Sequence, residues 1–309
     1  MLKRHLLLAL PLLSLATLVH ADPLDIKTVP ADSKWVLHLD ADALTKTQTW
    51  KLLQPKLQQN PKFTEGVANL QKIFAARFPD DLHGITLFGP SFDQKLAVLV
   101  VSANVDQERL KTLLSVNESY SSQTISGNTV HGWIDKGKQM YGGFADGNRL
   151  VISQTADRVA AAMDTLAGKA DFLKDDTLVG GDTKAGVIAY AAGSELAKLV
   201  AMKATNNPVI SKMQSGWFSG SEDQAGAELK GHVIFADEKV AQNIIKSIEG
   251  IKAALSFNDS DDPKAALMAD ALNGLTATTA GKAVDLQWTL PTPLIGQFIE
   301  QRSPTTQPQ

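Results

Sequence analysis

Two stretches of the chain share one pattern, in which a short apolar run ends at a polar residue that opens an amphipathic helix. Lys34 to Leu44 reads as a buried strand, Trp35 to Leu39, followed by a helix for which Asp42 supplies the N-cap. Gly186 to Leu196 repeats this order, with Ser194 as the cap. The pattern predicts two tandem copies of one α/β module.

The rest of the pattern supports this duplication. From Ser121 to Ser153, short apolar runs are separated by closely spaced turn residues, which leave no room for crossover helices and predict antiparallel pairing. A strand-to-helix cap is predicted at Asn104 in the first half and at Asp237 in the second. These positions lie 43 and 44 residues before the turn glycines Gly147 and Gly281, as expected for a repeat.

The sequence therefore predicts an α+β fold of two tandem α/β modules, each a mainly antiparallel sheet with helices packed on one face. The expected divisions are a signal peptide at 1–21, a first module at 22–178, a second module at 179–302 and a disordered tail at 303–309. The second module should include a helix with Leu196, Leu199 and Val200 on one face.

The N-terminus has the features of an export signal. Lys3 and Arg4 precede an apolar run from Leu6 to Val19, and small side chains at Val19 and Ala21 suit a signal peptidase. The run of about 14 residues is short against the ~20 that a helix needs to cross a bilayer. We therefore expect cleavage after Ala21 rather than a membrane anchor, and a soluble mature chain without a membrane span.

Composition narrows the classes of function. The chain has no cysteine, which excludes a lipid-anchored cysteine, disulfides, thiolate chemistry and cysteine zinc sites. Export without cysteine points to the periplasm of a Gram-negative cell or to secretion. The net charge is −3 and becomes −5 without the two basic residues of the signal, which argues against nucleic acid or an anionic membrane surface as partner. No cofactor is predicted.

His38, Asp40 and Asp42 alternate along the first stretch, so their side chains are expected on one face, where they could bind a divalent metal or act as acid and base. The repeat favours another interpretation. Aligning Asp42 with Ser194 places Tyr190 at the position of His38, so the second copy keeps the strand and cap but loses the histidine. We prefer a structural role for Asp42 and keep His38 and Asp40 as candidate ligand-binding residues.

The segment Ser215 to Ser221 contains Trp217 and Phe218 between small residues, and this composition predicts a loop. If both rings are exposed, they are candidates for contact with a partner or a lipid surface. Alternatively, they fold back onto the second core. Trp217 and Phe218 therefore join His38 and Asp40 as candidate site residues.

The run Val29 to Leu44, the signal and the closing hairpin at Leu275-Thr276-Ala277 resemble hypothetical exported bacterial proteins of about this length. The resemblance implies a fold and no activity. The residues themselves leave three hypotheses for the function. The protein is an exported non-catalytic protein that binds a protein or envelope component, a carrier of an apolar small molecule, or a metal-assisted hydrolase centred on His38, Asp40 and Asp42. We prefer the first, because no serine-nucleophile motif or other reactive constellation is recognisable.

Overall fold

The computed structural model describes residues 23–74, 76–145, 148–181, 183, 186–194, 212–256 and 263–301. The predicted signal peptide, the predicted tail and the predicted helix with Leu196, Leu199 and Val200 lie outside these residues. The described residues form helices and antiparallel strands, so the α+β class is confirmed.

Twelve strands of the described residues form one sheet, and every pair of neighbouring strands is antiparallel. The strands are β1 (Trp35–Asp40), β2 (Leu82–Gly89), β3 (Val98–Ala103), β4 (Ser121–Ile125), β5 (Asn128–Asp135), β6 (Lys138–Ala145), β7 (Arg149–Ser153), β8 (Val187–Gly193), β9 (Met213–Glu222), β10 (Gly226–Phe235), β11 (Leu275–Ala280) and β12 (Ala283–Pro291).

Nine α-helices and a short 3-10 turn at Ile26–Thr28 occur in the same ranges. The helices are α1 (Ala41–Lys46), α2 (Gln48–Gln58), α3 (Pro61–Phe74), α4 (Gln107–Ser115), α5 (Ala156–Leu166), α6 (Asp176–Val179), α7 (Glu238–Ser256), α8 (Pro263–Asn273) and α9 (Thr292–Gln301). None of these described helices is both long and apolar enough to span a bilayer.

The strand order joins the two halves of the chain into one sheet. It runs β11-β12-β10-β9-β8-β1-β2-β3-β7-β6-β5-β4. The opening strands of the two halves, β1 and β8, pair at its centre, where His38 lies directly opposite Tyr190. β4 to β7 form the antiparallel meander predicted from the turn spacing.

Consecutive residues of β1 point to opposite sides of the sheet, which we call the Val36 face and the Leu37 face. In the first half, the Val36 face is buried beneath α5 and the segment that leads into β1. Val36 and Val151 are fully buried there against Val159 of α5. Gly143 leaves room for the helix, because a Cβ at that position would collide with the sulfur of Met163.

In the second half, helices cover the opposite side of the sheet. Val233 and Val284 on the Leu37 face pack against Ala241 and Ile244 of α7, and α8 and α9 continue this cover. Helices therefore lie on both faces of the continuous sheet, whereas the prediction placed them on one face of each module.

Two predicted caps had different outcomes. Asp237 caps α7, because its Oδ1 accepts from the N–H of Val240 at 2.9 Å. Asn104 does not cap α4; that role belongs to Asp106, whose side chain accepts from the N–H of Arg109. The corrected position shortens the first of the two spacings that supported the duplication.

Candidate functional site

Asp40 is the N-cap of α1. The strand extends through Asp40 rather than ending at Leu39, and the helix begins at Ala41. The Asp40 side chain is fully buried, and its Oδ1 accepts from the N–H of Ala43 at 2.8 Å. The predicted cap at Asp42 is therefore wrong by two residues, because the chain turns from strand to helix earlier than the apolar pattern suggests.

The structure gives His38 and Asp42 separate partners. His38 is 6% exposed, and its Nδ1 lies 2.9 Å from Oγ1 of Thr86 on the neighbouring strand. Asp42 lies in the first turn of α1, where its Oδ2 is 3.0 Å from Nδ1 of His83. His38, Asp40 and Asp42 thus make different contacts. In the described ranges, no group of three or more His, Cys, Asp or Glu side chains is arranged to hold a metal ion.

Trp217 and Phe218 lie in the middle of β9, not in a loop. As neighbours in a strand they point to opposite faces, and both are half-buried. Phe218 packs with the α7 core over Gly231, where a Cβ would come within 2.7 Å of the phenyl ring. Trp217 lies against Gly181. Its indole also stacks on His232, with ring centroids 6.1 Å apart and an interplanar angle of 15°.

Next to Trp217, the Val36 face becomes a polar surface on β9 to β12, which we call the polar face. It consists of three cross-strand rows, because directly paired residues of antiparallel strands share a face. The rows are Thr278–Asp285–His232–Trp217, Thr276–Gln287–Lys230–Ser219 and Thr289–Glu228–Ser221. All the residues that β11 and β12 contribute to these rows are exposed.

Side chains of the polar face hold one another in place. Gln287 Nε2 donates to Glu228 Oε1 at 2.6 Å, and Lys230 Nζ lies 2.9 Å from the other oxygen of Glu228. His232 Nδ1 is 2.7 Å from Asp285 Oδ1. Two of these contacts, Gln287–Glu228 and His232–Asp285, link β12 to β10, and Lys230 is paired within β10. Donors and acceptors are therefore ordered before any ligand arrives.

Two depressions of about 360 Å³ and 270 Å³ lie on the polar face, and Lys230 lines both. Asp223 and Glu228 contribute carboxylates to the larger depression, and Asp285 contributes one to the smaller. Among the described residues, these carboxylates outnumber the lysines, because Lys230 is the lysine that lines the depressions. The surface therefore favours neutral or cationic ligands over anions.

Glu222 connects the larger depression to the helices on the other side. Its Oε1 accepts from the N–H groups of Gln48 and Thr49 at 2.6 Å and 3.0 Å, at the start of α2. A carboxylate at a helix N-terminus satisfies free amides and interacts favourably with the helix dipole. Glu222 therefore has a structural role in addition to lining the depression.

A second surface lies on the Leu37 face of β1, β2, β3 and β7 and consists of aliphatic residues in two cross-strand rows. We call them the aliphatic rows: Leu37–Leu87–Leu99–Ile152 and Leu39–Ile85–Val101–Leu150. Leu150 is buried and the other seven side chains are half-buried. Contiguous aliphatic side chains that keep contact with water are typical of interaction surfaces and ligand-binding grooves.

No family model and no curated protein sequence matches this chain. Among solved structures, crystal form IV of TP0453 is similar, with a TM-score of 0.51 and 9% identity over 90% of this chain and 96% of that chain. Crystal form III of TP0453 aligns with a TM-score of 0.49 and 10% identity over 91% of this chain and 98% of that chain. The likeness to crystal form IV shows a shared fold, without bearing on function.

Sequence reasoning missed the polar face, although a signal for it exists. Glu228, Lys230 and His232 alternate with less polar residues along β10, as Asp285 and Gln287 do along β12. Such alternation indicates one solvent-facing side of a strand. The register that places Gln287 beside Lys230 joins positions far apart in the chain, and the alternation alone does not determine it.

Proposed function

We propose that the protein is an exported, non-catalytic binding protein of the periplasm or the extracellular space, and that its partner, a protein or another envelope component, contacts the polar face. The observation that carries this proposal is the ordered network of Gln287, Glu228 and Lys230 beside the pair His232–Asp285. Preordered polar groups on rigid strands bind with little loss of conformational entropy.

The same contacts change the roles inferred for the candidate site residues. His38 forms a hydrogen bond with Thr86, and Asp40 accepts one from the first turn of α1. We therefore assign both residues a structural role. Phe218 belongs to the α7 core. Of the four candidates, Trp217 alone lines a depression of the polar face, and we retain it as a partner-binding residue.

We also infer that the halves 22–178 and 179–302 are tandem copies. The order β8-β9-β10-β12-β11 on one side of the sheet centre matches β1-β2-β3-β7-β6 on the other. The opening strands of the two halves, β1 and β8, form the central antiparallel pair of this order. A pseudo-twofold axis through this pair accounts for both observations.

Affinity purification from an envelope extract tests the proposed function. The variant Gln287→Ala/Thr276→Ala removes two exposed groups of the polar face, whereas Gln123→Ala/Thr124→Ala makes the same changes on exposed positions of β4. We expect a partner identified by mass spectrometry to be lost with the first variant and kept with the second. Both variants should unfold at nearly the wild-type temperature, because exposed positions contribute little to stability. A partner retained equally by both variants would rule out the polar face.

The aliphatic rows favour a second candidate function, a carrier of an apolar small molecule. Seven half-buried aliphatic side chains on four strands provide the kind of lining that such ligands bind. Leu87→Asn should weaken binding of a fluorescent fatty acid by about tenfold, because a polar side chain would face the ligand. Leu229→Asn, at a 41% exposed leucine of β10, is the control. Absence of saturable binding to the wild-type protein would exclude this candidate.

A further inference from the structure

We propose that the polar face binds an extended oligosaccharide of neutral or amino sugars. This proposal rests on the proposed function and specifies the class of ligand. A sugar chain presents hydroxyl groups that both donate and accept along its edges and apolar C–H groups on its ring faces. The polar face offers the complementary groups in a regular arrangement.

The spacing of the rows fits a repeating ligand. Each row crosses the strands, so its polar groups recur at the separation between neighbouring strands, about 4.8 Å. This separation is close to the advance per unit of an extended β-1,4-linked sugar chain. The second row therefore presents Thr276, Gln287 and Lys230 to successive units of a chain that lies across β11, β12 and β10.

The chemistry of these groups suits hydroxyls. Gln287 has amide donors and an acceptor, Asp285 has a carboxylate, and Thr276 and Thr278 have hydroxyls that both donate and accept. The contacts of Gln287 with Glu228 and of Asp285 with His232 hold the planar groups in place. A flexible ligand gains most affinity from groups that need no reordering.

The charge of the surface selects among sugars. Among the described residues, four acidic side chains, Glu222, Asp223, Glu228 and Asp285, and one lysine, Lys230, line the two depressions. Uronic acids and phosphorylated sugars would be repelled by this excess. Neutral units are accepted, and an amino group on the sugar gains a charge-assisted hydrogen bond to a carboxylate.

Trp217 supplies the apolar part of the site. Its indole lines the smaller depression at the end of the first row, and contacts with Gly181 and with the ring of His232 fix its position. An indole fixed in this way offers an apolar contact for ring C–H groups without losing rotamer freedom on binding. The two depressions adjoin at Lys230, so the site extends beyond a single sugar unit.

Calorimetric titration of the full chain tests the inference with three soluble probes: oligomers of N-acetylglucosamine, of glucosamine and of galacturonic acid. We expect the first two to bind and the acidic oligomer not to bind. Gln287→Ala should weaken both affinities by about tenfold, as expected for the loss of one ordered hydrogen-bonding group. Gln123→Ala on β4 should leave them unchanged. Asp285→Asn should weaken glucosamine binding more than N-acetylglucosamine binding, because it removes a charge.

The outcomes separate this inference from the proposed function. If neither glucosamine-based oligomer binds, or if Gln287→Ala and Gln123→Ala bind equally well, the sugar assignment is wrong. The proposed function would still stand if the envelope partner depended on Gln287 and Thr276. If substitutions on the polar face changed neither the recovered partner nor the binding of the oligomers, both proposals would be wrong. Preferential binding of the acidic oligomer would overturn the charge argument and with it the sugar assignment.

Discussion

The polar face and the aliphatic rows lie in one sheet, on opposite faces and in opposite halves, and their chemistry differs because the helices are placed differently. In the second half, α7 to α9 pack on the Leu37 face, where Phe218 fills the space over Gly231. The Val36 face of the same strands is then free to be polar. In the first half, α5 buries the Val36 face, while Leu37 and Leu87 on the other side keep contact with water. The role of the residues on each side of a strand thus depends on which side of the sheet the helices cover.

The largest expected effect separates neighbouring residues on the two faces of β2. Phe88 is 1% exposed on the Val36 face, and Leu87 is half-buried in the aliphatic rows. Phe88→Ala should lower the free energy of unfolding by about 3–5 kcal/mol, because it opens a cavity in the core. Leu87→Ala should lower the free energy of unfolding by less than about 1.5 kcal/mol, because the half-buried leucine loses less buried apolar area than Phe88 does. Urea denaturation measures both; similar losses would show that the aliphatic rows are ordinary core.

A smaller effect is expected at Tyr190, where the buried Val36 face meets the polar face. Its hydroxyl donates to the carbonyl of Leu178 at 2.6 Å, so Tyr190→Phe should cost about 1–3 kcal/mol through the unsatisfied carbonyl. Burial raises the pKa of Tyr190 to about 12. The unfolded chain loses the phenol proton near pH 10 while the folded chain keeps it, so stability falls as the pH rises from 10 towards 12.

The Tyr190→Phe variant should lack this loss of stability at high pH. Denaturant titrations of the variant and the wild type at pH 9 to 11 measure the difference. Tyr141→Phe, at a half-buried tyrosine of the same face, is the control and should keep the wild-type dependence. If both variants lost the alkaline effect, the assignment to Tyr190 would fail.

A third test compares two histidines on opposite faces. His131 on the Leu37 face is 7% exposed, and burial, with a further contribution from the charge of Lys111, lowers its pKa below the ordinary 6.5. Below pH 6.5 the unfolded chain binds the proton more readily, so stability should fall as the pH drops from 6.5 and level off once the folded histidine also titrates. His131→Gln should remove this dependence, measured by thermal unfolding between pH 5 and 8. His232→Gln on the polar face should retain it, and the reverse result would contradict the comparison.

The smallest expected effect on stability is at Gln287. The side chain is exposed, and its hydrogen bond to Glu228 is open to water. Gln287→Ala should change the free energy of unfolding by no more than about 0.5 kcal/mol. A larger loss, measured by urea denaturation, would mean that the network supports the fold and would weaken its assignment as a binding surface.

Several elements were predictable from local pattern. The strand at the start of β1, the cap at Asp237, the antiparallel meander and the hairpin of β11 and β12 follow from neighbouring residues, because caps and tight turns satisfy nearby backbone groups. The cap at Asp40 was missed, because a strand end and a helix start compete for the same few residues. Trp217 and Phe218 were misplaced in a loop, because small residues such as Gly216 and Gly220 resemble turn residues when the neighbouring strand is unknown.

The sequence by itself determined the α+β class, the alternation along β10 and β12 and the positions of several turns, all of which depend on interactions within a few residues. Only the tertiary structure decided that β1 pairs with β8, that α5 and α7 cover opposite faces, and that Gln287 meets Lys230 and Glu228. Pairing register and face coverage arise from contacts between distant segments, whose free energy depends on the whole sheet. The candidate site depends on these contacts, and for that reason only Trp217 among its residues was recognised from the sequence.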